Sequence, residues 1–469
     1  MIRRTPAVLL ALLAALPPAS SAFAQAEGNG AAAAAHVAAP YQRTADDRPG
    51  GVVRLEMTIR EFAPPRAGMP TIYLAGAVHI ANPSFYGSLQ EFLDTQDVVL
   101  FEGVKPPGAG SGEHDRGEQT PEQKAKATER RIRFLAMAIE RYRAKEGGLP
   151  ESLAALVEGS EGRIAQLLKG SLSDAWGHPI GYDVRAATPA PGSSQPPISD
   201  GGPAPAGKPG APTFDVLSLG ADAKAGGEGA ASDLRFSDQK PLKKPEKGDR
   251  SGGIQQELAD ATGLVFQLTA MDHNKAHWRN SDLSMDQIQD RLEASGASAD
   301  ELFSMLEGTS FTGRLAGMML SMMGSTAEGR TMLRLMMIEM LGRADELIKL
   351  RLPGGMEGMM AVILEDRNKV LVDDIRRIIE REPGIRTVGA IYGAGHLPGV
   401  ERSLVADLGY RPAGDRWLVA MEVDADRDGV SPSQLVATRR MVGQMIQTQL
   451  DQAAREKARK EKKALEQPK

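Results

Sequence analysis

Cysteine is absent from the 469 residues, which removes disulfides, thiol nucleophiles, cysteine-based zinc sites and a lipoprotein attachment point together. Aromatic residues make up only 4%. The core must therefore be built from aliphatic side chains and from the 21 methionines, whose flexible thioethers fill irregular space. A basic surplus is also missing: 56 basic against 61 acidic side chains leave a net charge of -5. Such a chain offers no electrostatic footprint for phosphate backbones, and no nucleic-acid partner is expected. Past the N-terminus, no apolar run approaches the roughly 20 residues of a membrane span. The methionine-rich stretch Leu315 to Leu341 is interrupted by Arg330, Arg334 and Glu339, and its periodic methionines read as core.

The beginning of the chain reads as an address. Arg3 and Arg4 precede an apolar run from Ala7 to Leu16, and Ala22-Phe23-Ala24 has the small-x-small form of a cleavage site. Residues 1–24 are thus expected to be a signal peptide, with an uncleaved anchor as the alternative. Thr5-Pro6 after the arginines favours the general secretory route and a periplasmic or secreted protein. Residues 25–50, rich in Ala and Gly without periodicity, are expected to be a flexible leader.

What is present is a repeated grammar. Thr71 to Ile80 reads as a strand closing on Gly76-Ala-Val-His79, and Arg386 to Tyr392 as another closing on Gly393-Ala-Gly-His396. After His79, a helical pattern (Phe85, Leu89, Phe92, Leu93) leads to Asp97-Val-Val-Leu-Phe-Glu102. After His396, Leu397 to Leu408 is a helix opened by Pro398, and Arg416 to Glu422 a strand. Strand, helix, strand units make parallel strands whose carboxyl ends share one sheet edge, which places His79 and Glu102 side by side and His396 at the same edge. Two imidazoles and a carboxylate suit zinc, manganese or cobalt, with room for a bound water.

These motifs, with Glu365-Asp-Arg367-Asn368 opening an amphipathic helix and Leu408-Gly-Tyr410 after the second histidine, resemble the TraB/PrgY/GumN family, to which the Tiki proteins are related. The likeness covers residues 51–115 and 250–422 and implies a discontinuous α/β domain with one site: His79, Glu102 and His396 as metal ligands, Glu102 also as a candidate general base, and Arg367 and Asn368 as polar catalytic partners. Metal-dependent proteolysis is the activity implied by its Tiki relatives, with a peptide or protein as substrate. Residues 423–469 read as a charged, partly helical tail with little tertiary commitment.

Between the two halves lies an insertion, residues 121–240. Ile132, Leu135, Ala136, Ile139 and Tyr142 recur at helical spacing up to Gly147-Gly148. Gly148-Leu-Pro150, Ser173-Asp-Ala-Trp-Gly-His-Pro-Ile-Gly-Tyr182, Phe214 to Asp222 and Ser232-Asp233-Leu234 follow. This succession resembles the globular, α+β part of type II secretion major pseudopilins, the GspG type. The resemblance implies calcium held by Asp222 and Asp233 and points to secretion-apparatus components as partners. A low-complexity loop, residues 186–212, departs from that pattern, as does the missing apolar helix on which pilus assembly depends.

Weaker patterns each lack a decisive residue. His273 and His277 stand four apart, but without the glutamate of a His-Glu-x-x-His motif. Gly202 to Lys208 mimics a phosphate loop but continues into Pro209. Asp424, Asp426 and Asp428 form half a calcium loop, with Leu435 where the bidentate glutamate belongs. Three functional readings stay open: an exported metal-dependent hydrolase, a non-catalytic envelope peptide-binding protein, and an interaction protein of a secretion apparatus.

Overall fold

The computed structural model describes residues 39–48, 51–109, 120–185, 213–239, 259, 261–294, 324–344 and 361–466. The expected signal peptide, the loop 186–212 with its phosphate-loop mimic, and the first third of the methionine-rich stretch lie outside those residues.

Strands β1 (Gln42–Arg48), β2 (Val52–Ala63) and β3 (Thr71–Ala77) are followed by the short β4 (Ile80–Ala81), helix α1 (Pro83–Leu93) and β5 (Val98–Phe101). Next come α2 (Pro121–Glu146), α3 (Leu153–Glu158), α4 (Gly162–Gly170), β6 (Gly181–Arg185), β7 (Thr213–Ser218) and β8 (Leu234–Arg235). The remainder runs through β9 (Val265–Phe266), β10 (Trp278–Asn280), α5 (Met285–Ala294), α6 (Ala327–Gly342), α7 (Arg367–Arg381), β11 (Thr387–Gly393), α8 (Leu397–Ala406), β12 (Arg411–Asp424) and α9 (Pro432–Glu466).

The structure is mixed α/β, and its main sheet is itself mixed. Seven strands take the order β1-β2-β3-β11-β5-β10, with β12 on the far side of β2. Pairing is parallel through β3, β11, β5 and β10 and antiparallel around β2. Parallel strands covered on both faces carry unbroken apolar runs, and Val98-Val-Leu-Phe101 and the buried stretch Val388 to Gly393 are of this kind.

One expectation about this sheet needs correcting. β3 and β5 are parallel but not adjacent, because β11 lies between them, pairing Tyr392 with Gly76 on one side and Ile391 with Phe101 on the other. Adjacency of consecutive strands is a tendency, and here the apolar β11 fits the central slot. Helix α1 begins with Pro83 in its first turn and turns Phe85, Tyr86, Leu89 and Leu93 inward. It lies so close to β11 that a Cβ on Gly389 would stand 2.9 Å from Leu93 Cδ2.

The segment from α2 to β8 has its own antiparallel sheet, β6-β7-β8, and its own apolar cluster of Ile132, Leu135, Ile139, Leu156, Leu168, Phe214 and Val216. Helix α2 starts with a capping box between Thr120 and Gln123 and stops where Gly147 adopts φ 79°. Gln166 Nε2 donates to the Trp278 carbonyl of edge strand β10 at 3.0 Å, tying this segment to the main sheet.

Other local expectations shift. Gln42–Arg48, placed in the flexible leader, is a strand paired along β2, and Tyr41 beside it is buried. Val265–Phe266 forms the short strand β9, paired antiparallel with β4. His273 and His277 sit on an irregular segment ahead of β10, so they share no helix face. Helix α9 lies within the expected tail, but Leu435, Val442 and Ile446 of its first half join the main core.

Candidate functional site

The carboxyl ends of β5 and β11 bring together residues from three distant segments. Glu102 directly follows β5, its amide bonded to the Ile391 carbonyl, and its carboxylate is gripped from two sides: Gly393 N donates to Oε2 at 2.6 Å and Arg367 Nη2 to Oε1 at 2.7 Å. Arg367 arrives on the first turn of α7, whose apolar face (Leu371, Ile375, Ile378) packs into the main core and fixes the direction of that turn. The same guanidinium is clamped by Asp282, Nε to Oδ1 at 2.8 Å and Nη2 to Oδ2 at 2.7 Å, and its Nη1 faces His396 Nε2 at 3.4 Å.

His396 caps the start of α8. Its Nδ1 lies 2.7 Å from Asn368 Oδ1, which can only accept, so Nδ1 carries the proton and Nε2 presents its lone pair to Arg367. Asn368 has room for this contact because residue 399 is glycine; a Cβ there would stand 2.5 Å from Asn368 Nδ2.

The electrostatics follow from burial and pairing. Desolvation is the largest single influence and opposes the charge on Glu102, but Arg367, His396, His79 and the Gly393 amide together outweigh it, and the carboxyl is held well below the usual carboxylate range. Burial pushes His396 down to about 4, against the pull of Glu102 and with the help of Arg367. Arg367 stays charged despite its burial because Asp282 and Glu102 flank it. At neutral pH Glu102 is thus a carboxylate, Arg367 a guanidinium and His396 a neutral imidazole. A carboxylate stabilised this strongly is a poor proton acceptor, so Glu102 is better suited to hold a positive group than to act as a base.

The expected residues are therefore partly assembled. Glu102, His396, Arg367 and Asn368 form one connected network, with His396 Nε2 at 3.7 Å from Glu102 Oε1. His79 follows β3 by two residues, beside Phe266 with ring centroids 6.5 Å apart, and lies within electrostatic range of Glu102 and His396 without bonding either. Sequence reasoning missed Asp282. Its side chain is fully buried, and it also accepts the amides of Gly103 at 2.9 Å and Leu283 at 2.8 Å. The only hint was its place between a strand and a helix start, Ser284 and Gln287 forming part of a capping box.

Tested against zinc, manganese or cobalt, the cluster as arranged does not fit. The electron pairs of Glu102 Oε1 and His396 Nε2 that a cation would take are both turned to Arg367. Among the described residues, no three His, Cys, Asp or Glu side chains are grouped to hold a metal. Of the residues expected to bind calcium, Asp222 accepts the Lys224 amide, whereas Asp233 accepts the Gly226 amide and pairs with Arg235. In the Asp424 to Asp428 turn, carboxylates cap backbone amides and pair with Arg427.

The inserted region sets a long helix on a small antiparallel sheet, with a glycine-rich loop between β7 and β8. Over 146 residues, 30% of this chain and 82% of the relative, the chain is 33% identical to type II secretion system core protein G of Xanthomonas campestris pv. campestris, and over that span it belongs to that protein's family. No family model matches the chain, so the likeness of the flanking segments to TraB/PrgY/GumN proteins rests on their motifs alone. No solved structure matches it. Among the described residues, no helix is long and apolar enough to cross a membrane.

Proposed function

We propose that this chain is an exported envelope protein that associates with a type II secretion apparatus through its pseudopilin-like region and works on a peptide or protein at the sheet-edge cluster. The observation that carries the first part is the 33% identity across most of a secretion core protein. The test is crosslinking in cells followed by capture of the full-length chain. Enrichment of secretion components with the wild type, lost when residues 121–240 are exchanged for an unrelated domain of equal span, supports the reading; equal recovery of such components with both chains overturns it.

Hydrolysis is the reaction class proposed for the cluster, favoured by four polar side chains meeting at the strand ends where open α/β sheets bind ligands. Within it Arg367 and Glu102 would orient a substrate's charged groups, while Asn368 holds His396 in the tautomer whose Nε2 accepts a proton. The metal-dependent form of this proposal has one entry condition, release of Glu102 from Arg367. Purified wild type, Glu102→Gln and His396→Ala are compared for bound metal and for chelator-sensitive cleavage of a peptide library. Identical results in all three remove the hydrolase.

A further inference from the structure

The segment that leaves Glu102 for the inserted region is bonded along its length to the segment that carries Asp282. Asn280 Nδ2 donates to the Gly103 carbonyl at 2.7 Å, Gly103 N to Asp282 Oδ2, Lys105 N to the Leu283 carbonyl at 3.0 Å, Met285 N to the Lys105 carbonyl at 2.9 Å, and Gly108 N to Asp286 Oδ1 at 3.0 Å. This strap prolongs the parallel pairing of β5 with β10 beyond both strands. At its far end Gly108, at φ 77°, lies backbone to backbone on α2, where a Cβ would stand 2.1 Å from the Arg130 carbonyl oxygen. Arg130 then closes the structure. Its Nη1 reaches Asp286 Oδ2 at 3.1 Å, and its two terminal nitrogens grip Asp290 at 2.6 and 2.8 Å.

On the reading that the sheet-edge cluster is the working site, we infer that Arg130 of the pseudopilin-like region is a positioning residue for that site. It acts through Asp286 and the strap, which fix Asp282 against Arg367 and thereby set the direction of the guanidinium between Glu102 and His396. Asp286 is the junction, since one of its oxygens is taken by the strap at Gly108 and the other by Arg130. Only the short turn from Asp282 to Asp286 separates that junction from the clamp on Arg367. Anything that draws α2 away from α5 loosens the strap at Gly108 first and the clamp next.

The test uses the full-length chain and two readouts that require no turnover: amide exchange of the segments 103–108 and 281–286, and the Arg367 Nε–H resonance in a ¹⁵N spectrum. Arg130→Ala is expected to speed exchange in both segments at least ten-fold and to shift the Arg367 resonance, with β3 and β11 unchanged. Arg130→Lys, which keeps a positive charge beside Asp286, recovers most of the effect. A merely structural role would alter the exchange of segment 103–108 and leave the Arg367 resonance in place. Should Arg130→Ala fail to fold, Asp290→Asn loosens Arg130 from the exposed side and gives the same readouts in graded form. Wild-type exchange and an unmoved Arg367 resonance in the variants, while Asp282→Asn moves that resonance, overturn the inference. Failure of the hydrolase proposal would show as absent cleavage, which neither readout measures.

Discussion

Replacing Asp282 by Asn tests whether the buried guanidinium of Arg367 depends on its flanking charges. Asp282 takes two of the bonds of Arg367 and is fully buried, whereas Glu102 takes one. Stripping one partner from a buried ion pair costs roughly 3–5 kcal/mol, mostly because the other charge is left uncompensated. Glu102 retains Nη2, and the new amide oxygen can still accept one backbone N–H, so the lower end applies, about 3 kcal/mol. The assay is chemical denaturation followed by circular dichroism, read as a midpoint shift at unchanged slope. In an Arg367→Met background there is no buried cation to abandon and Asp282 is itself the uncompensated buried charge, so the same change should cost nothing or stabilise. The coupling energy is then at least about 3 kcal/mol, well outside additivity. Equal costs in both backgrounds would refute the reasoning and show that Asp282 serves only the Gly103 and Leu283 amides.

Acid should destabilise the protein in two stages. The folded pKa of His396 is lowered from 6.5 to about 4, so the unfolded chain binds the extra proton first and stability falls as pH drops from 6.5 towards 4; His396→Gln should flatten that limb. Glu102 is also depressed, so its contribution is intact above the ordinary value of 4.5 and is lost below it as the folded group titrates; Glu102→Gln should remove this second limb in pH-dependent unfolding. Arg367→Met empties the place between Glu102 and His396, and calorimetric titration with zinc should show at least ten-fold tighter binding than wild type; equal affinities would mean that Arg367 does not compete with a cation. Gly108→Ala sets a Cβ against the Arg130 carbonyl at a left-handed backbone position, and should lower the thermal midpoint by several degrees, a loss of roughly 1–3 kcal/mol.

Much of the sheet edge was legible because its signals are local. An apolar run followed by Gly-x-x-His, or by Glu-Gly, marks a strand end whatever surrounds it, and the amphipathic period of α7 placed Arg367 and Asn368 on its first turn. Strand order was not legible, since nothing in Thr387–Gly393 states which neighbours it will separate. Asp282 escaped notice because its role arises from tertiary contact with Arg367, 85 positions away along the chain. Gln42–Arg48 was misread because Gln-Arg-Thr-Ala-Asp-Asp-Arg carries no apolar alternation, and its strand form comes from the pairing offered by β2. The ion pairing that turns Glu102 and His396 towards Arg367 was equally invisible, because spacing reports which donors converge and leaves open what already occupies them.

The central position of β11 also bears on how the protein is made. In a chain that ends before β11, β3 and β5 lack the strand that lies between them, and each keeps a bare row of backbone donors and acceptors. Their closure waits for a strand encoded nearly three hundred codons later. Long-range closure of this kind slows folding and leaves unpaired edges open to mispairing. Any fragment ending before Thr387 should therefore be prone to aggregate, even with every residue of the first strand, helix and strand unit in place.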